Sequence, residues 1–146
     1  SSLHVAWVGD GNNMAHSWIY AAVALGFKLS LVCPEGFDPD ADIWGDARSQ
    51  NERISLTRHP HDGVRGAHVV TTDVWTSMGQ EEEQKLREKA FADFQVNEKL
   101  MDLAHPDCLF MHCLPAHRGE EISENMLDHK NAVVWDEAAA NLGHPD

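Results

Sequence analysis

Apolar positions along the chain gather into short runs of Val, Leu, Ile and Phe, each closed by Gly, Asp, Asn or Pro and separated from the next by a helix-length stretch. That pattern is the one expected of parallel strands buried on both faces and joined by crossover helices. It predicts strands over residues 3–8, 29–33, 54–57, 69–72, 109–112 and 132–135. Helices are predicted over 14–25, with Gly26 as the C-terminal stop, and over 41–50, 80–94 and 96–104. The stretch 60–66 has room for no more than a turn of helix. The alternation specifies a doubly wound, three-layer α/β domain with a parallel sheet of five or six strands and right-handed crossovers. In such sheets ligands bind beyond the carboxyl ends of the strands, where the strand order reverses.

Composition narrows the partners. The 146 residues suit one domain, and 42% apolar against 24% charged residues supply a core. A net charge of −13, from 24 acidic and 11 basic side chains, excludes nucleic acid and anionic membrane as partners, since both are bound by surplus Lys and Arg. No apolar run approaches the roughly 18 residues of a membrane span, so a soluble chain is expected. Cys33, Cys108 and Cys113 form no C-x-x-C pair, which points away from a disulfide framework or zinc ribbon and toward a reducing compartment. The acidic run Glu81 to Glu83 reads as a solvated first helical turn.

Three segments directly after strands carry unusual chemistry. Gly9-Asp10-Gly11-Asn12-Asn13 opens a helix, where unpaired N–H groups and the helix dipole favour an anion. Met14 occupies the third glycine position of a dinucleotide fingerprint, which disfavours a nicotinamide or flavin cofactor. Asn12 reads best as the helix cap, and Asn13 as a polar ligand contact. Asp73, leaving a strand ahead of Val74-Trp75-Thr76-Ser77-Met78-Gly79, calls for a ligand ammonium or a protein base, or else serves as a turn or cap residue. In His112-Cys113-Leu114-Pro115 the imidazole and thiol alternate across the strand, so His112 is poorly placed as a base for Cys113. A metal held by His112, Cys113 and His117 lacks a second ligand pair and is disfavoured. Neither cofactor nor metal is expected. His59, His61, His105, His129 and His144 lie in polar, turn-like stretches, and most of them are expected at the surface.

Three long matches, in order, resemble the second, amino-acid-binding domain of the ornithine carbamoyltransferases: residues Gly9 to Trp18, Asp73 to Glu83, and His112 to Glu121. The resemblance runs from the first strand to Glu137 and implies a Rossmann-like domain that binds L-ornithine. In that family carbamoyl phosphate sits mainly in the first domain, and attack by the ornithine δ-amine yields citrulline and phosphate. By resemblance, Asn13 faces the ornithine α-carboxylate and Asp73 its α-ammonium, while Ser77 and Met78 belong to a loop closing over the amino acid. Cys113 would lie near the δ-nitrogen, positioning it and accepting its proton, with the Cys113–Leu114 backbone facing the carbamoyl group. The resemblance further implies a cis Leu114–Pro115 peptide and a cytoplasmic location, or the mitochondrial matrix in a eukaryotic source, while apolar surface left where the family's first domain and C-terminal helix would pack predicts self-association into a homo-oligomer.

The sequence also departs from that pattern. Neither a Ser-Thr-Arg-Thr nor a His-Pro-x-Gln segment occurs, so a carbamoyl-phosphate domain is expected to be absent from residues 1–146. After Asp136-Glu137-Ala138 stands Ala139-Ala140-Asn141, where the family has Glu-Asn-Arg. These departures imply a chain that is inactive by itself, and they keep open a second reading, a non-catalytic amino-acid-binding or interaction domain.

Overall fold

A computed structural model describes residues 2–73, 81–114 and 132–136, the side chains of 81–84, 113–114 and 132–136 excepted. The strands are His4–Val8 (β1), Lys28–Val32 (β2), Ile54–Thr57 (β3), Val69–Thr72 (β4), Leu109–Leu114 (β5) and Ala132–Asp136 (β6). Between them lie the helices Asn13–Leu25 (α1), Ala41–Gln50 (α2), Pro60–Val64 (α3), Glu81–Phe91 (α4) and Glu98–Met101 (α5). All five strand pairings are parallel, in the order β3-β2-β1-β4-β5-β6. The chain starts at the centre, winds outward to β3, and returns to β4 on the other side of β1. The order therefore reverses between β1 and β4.

Every residue of β1 is buried, as a central strand covered on both faces requires. Its side chains alternate between two cores. Val5 and Trp7 join Leu29, Leu31 and Ile54 beneath Ala15, Ile19 and Ala22 of α1 and Ala47 of α2. Ala6 and Val8 join Val32, Val70 and Phe110 against Val64, Phe91, Phe94, Val96 and Leu100. Local chemistry sets the helix ends. Asn12 caps α1, Gly26 closes it in the left-handed conformation with φ 72°, and Asp40 caps α2 by accepting from the Asp42 and Ile43 N–H groups.

The fold class matches the sequence reading, with six strands, and β3, β4 and α2 fall on the predicted residues. Two helices are shorter than predicted. The helix expected over 80–94 ends at Phe91, and Ala92–Phe94 tightens into a 3-10 turn that delivers Phe94 to the core. Of the stretch 96–104, only Glu98–Met101 is helical: Asn97 caps it, and Leu103 and Ala104 donate three residues back, to Leu100 and Met101. None of the described helices is long and apolar enough to cross a membrane.

Candidate functional site

The loop after β1 lies at the point of reversal, against the loop after β2, and is tightly held. Gly9 N–H donates to the Val32 carbonyl and Gly11 N–H to that of Phe37, each at 2.8 Å, while Trp7 Nε1 donates to the Asp10 carbonyl at 2.9 Å. Gly11 lies so close to the β2–α2 loop that a Cβ there would collide with the Pro39 nitrogen and the Asp38 carbonyl. That approach admits glycine alone.

Asn12 does two things. Its Oδ1 accepts from the Met14 and Ala15 N–H groups at 3.0 and 3.1 Å, and its Nδ2 donates to Asp73 Oδ2 at 3.4 Å. The expectation that Asn12 caps the helix holds. The cap also engages two of the first-turn donors that the sequence reading offered to an anion. Asn13, the first residue of α1, is exposed, and its carbonyl accepts from Ser17 Oγ at 3.2 Å.

Asp73, half-buried, lines a cleft of about 340 Å³ together with Trp7, Met14, Trp18, Thr71, Met111 and His112. His112 is 1% exposed, pairs in register with Thr72 and meets Phe110 edge-on at 6.3 Å. Among the described residues lining the cleft, none is Lys or Arg. A carboxylate in a largely apolar wall suits a short aliphatic chain bearing an ammonium group.

A second layer braces these loops. Arg87 of α4 pairs with Asp10 at 2.8 Å, both side chains under one-fifth exposed, and its guanidinium lies 5.2 Å from the Phe37 ring centre. Phe37 in turn packs on Phe91, with ring centres 4.8 Å apart. Arg58 bonds both Asp38, at 2.5 Å, and the Cys33 carbonyl, at 3.0 Å, and the Asp38 carboxylate strengthens its hold on its proton. Burial, with Asp38 and Asp10 adding to it, pushes the Cys33 thiol up to about 12, which keeps it protonated and unreactive.

Of the residues singled out from sequence, Asn12 and Asp73 meet at the reversal point, and Asn13 follows Asn12 as the exposed first residue of α1. Cys113 and Leu114 are the last two residues of β5, paired with Trp135 and Asp136 of β6. Their side chains, together with Ser77, Met78, His117, Asn141 and the Leu114–Pro115 peptide, lie outside the described residues. Among the described residues no cluster of His, Cys, Asp and Glu is arranged to hold a metal ion. Sequence reasoning missed Arg87, whose partner is 77 residues away, and the bond from Asn12 to Asp73. No local pattern signals either contact.

Known proteins resemble the chain along nearly its whole length. The family model of the aspartate/ornithine carbamoyltransferase Asp/Orn binding domain matches residues 1–143. An ornithine carbamoyltransferase of Acinetobacter baumannii is 64% identical over 138 residues, which are 94% of this chain and 44% of that protein. One from Geobacter metallireducens is 54% identical over 141 residues, 96% of this chain and 46% of that protein. Among solved structures, the ornithine carbamoyltransferase from Pyrococcus furiosus superposes with a TM-score of 0.85 at 45% identity, covering 92% of this chain and 44% of that one. The chain thus spans less than half the length of the relatives it matches.

Proposed function

The chain belongs to the aspartate/ornithine carbamoyltransferase family, within its Asp/Orn binding domain, and from that premise we propose that it is the part of an ornithine carbamoyltransferase that holds L-ornithine. The reaction joins the ornithine δ-amine to carbamoyl phosphate. The neutral amine attacks the carbamoyl carbon, a C–N bond forms, the C–O bond to phosphate breaks, and the nitrogen sheds one proton as citrulline and phosphate result. Carbamoyl phosphate is held mainly outside this chain.

The observation that carries the choice of ornithine is the lack of Lys or Arg among the described residues lining the apolar-walled cleft at the strand reversal. A substrate bearing a second carboxylate in place of an amine would need a cation there. In this reading Asp73 receives the α-ammonium, Asn13 faces the α-carboxylate, and the apolar wall accommodates the methylenes. Ser77 and Met78 close over the amino acid. Cys113 sits near the δ-nitrogen and takes its proton, and the Cys113–Leu114 backbone faces the carbamoyl group. The enzyme works in the cytoplasm, or in the mitochondrial matrix of a eukaryote, and associates with further copies of itself.

Titration of the chain with ornithine and with aspartate, followed by NMR, tests the reading. Ornithine should shift resonances around Asp73 and lose at least about tenfold in affinity in Asp73→Ala, in proportion to a lost charge-assisted bond. Preference for aspartate, or indifference to Asp73→Ala, refutes it. Asn141, in the place of the family arginine, favours a second reading, an amino-acid-binding domain without the chemistry. Citrulline formation once the carbamoyl-phosphate half is supplied would exclude that second reading.

A further inference from the structure

We propose that Asn12 is a positioning residue for Asp73: the cap it makes on α1 fixes its amide so that its only donor group points at the carboxylate that receives the substrate ammonium. The inference rests on the reading of Asp73 given above. Two backbone N–H groups, of Met14 and Ala15, occupy Asn12 Oδ1, which uses both acceptor positions of that oxygen. A planar amide held in this way cannot turn. Its Nδ2 is left facing Asp73 Oδ2 at 3.4 Å, across the strand reversal and 61 residues away in sequence.

Capping alone does not explain an asparagine here. Asn, Asp and Ser cap helices about equally well. The dipole of α1, whose first turn holds no acidic residue, would favour Asp over Asn. An aspartate at this position would set a second carboxylate against Asp73, and a serine would keep the cap without reaching across. The amide of asparagine accepts from the helix and also donates to the carboxylate. A carboxylate already oriented in this way meets an incoming ammonium with less ordering left to be done on binding.

The test titrates ornithine, and separately 5-aminovalerate, into the chain and its variants, followed by NMR. 5-Aminovalerate keeps the δ-ammonium and the carboxylate but lacks the α-ammonium. Asn12→Ser should weaken ornithine about tenfold and change 5-aminovalerate by less than about twofold, as expected for the loss of one bond to a charged group. Thermal midpoints should agree within about 3 °C, because serine preserves the cap. In an Asp73→Asn background, Asn12→Ser should cost nothing further. Asn12→Thr, another capping substitution, takes its place if the serine variant does not fold. Unchanged ornithine affinity, equal losses for both ligands, or an undiminished loss in the Asp73→Asn background would each reduce Asn12 to a cap and overturn the proposal. Should the unaltered chain bind the two ligands alike, or neither, the assignment of Asp73 itself falls and takes this inference with it.

Discussion

Replacing Arg87 with alanine should be among the costlier single changes outside the two cores. Its guanidinium bonds Asp10 at 2.8 Å with the two side chains 18% and 19% exposed. Hydrogen bonds to charged groups contribute about 1.5–3 kcal/mol where water is excluded, and exposed ion pairs only about 0–1 kcal/mol. At one-fifth exposure the pair falls between these limits, near 1.5 kcal/mol. The cation over Phe37 adds about 0.5–1 kcal/mol. Arg87→Ala also strands the Asp10 carboxylate in a shielded loop, so a total of about 2–3 kcal/mol is expected. Arg87→Lys keeps the charge and loses the flat stacking surface, and should cost about 1 kcal/mol. Urea unfolding read by tryptophan fluorescence measures these losses, and a cycle of Arg87→Ala with Asp10→Ala isolates the pair. A coupling of about 1–2 kcal/mol is expected. Additivity of the two substitutions to within about 0.5 kcal/mol would refute the reasoning.

Other expectations are equally direct. Gly11→Ala forces a Cβ against the backbone of Asp38 and Pro39 and should lower stability by about 2 kcal/mol or more, which denaturant melts would detect; an unchanged midpoint counts against the close approach. Burial, with Lys28, His68 and Arg53 adding positive charge, lowers His4 to about 4 from its ordinary 6.5. The unfolded chain therefore binds the proton first as pH falls, and stability should decline from about pH 6.5 to pH 4 by up to about 1.4 kcal/mol per unit; His4→Gln should flatten that acid limb. The 146-residue chain alone should form no measurable citrulline, since stabilising the departing phosphate requires positioned cations, and a colorimetric citrulline assay showing sustained turnover would contradict this.

What was legible in the sequence is what local chemistry decides. The limits of β3, β4 and α2 follow from apolar runs and capping residues a few positions apart. The placement of Asp73 beside the Gly9–Asn13 loop follows from a winding rule that needs only the order of strands and helices. What escaped was set from a distance. Phe91 ends α4 where Phe94 must reach the core, and a pattern of helix formers carries no trace of that demand. His105, one of a group expected mostly at the surface, is half-buried against His68, with ring centres 4.8 Å apart and its Nδ1 accepting the Asp107 N–H.

The contacts that escaped share a direction. A doubly wound sheet is weakest as a scaffold at its reversal point, because no connection runs directly between the loops that meet there, and the ligand needs both. Among the described residues, Thr72 Oγ1 at the end of β4 donates to the Val8 carbonyl of β1, and two further side-chain bonds cross the gap. Arg87, on the helix after β4, reaches Asp10 in the loop after β1, and Asn12 in that same loop reaches Asp73 at the end of β4. Each joins the first-wound half of the fold to the second. Both also end on carboxylates, at the strand edge of a chain with more than twice as many acidic as basic residues, 24 against 11. Left unpaired at one-fifth exposure, Asp10 would be a shielded negative charge without compensation in the loop after β1. Arg87 pairs with Asp10, and the neutral amide of Asn12 bonds Asp73, the carboxylate that lines the cleft.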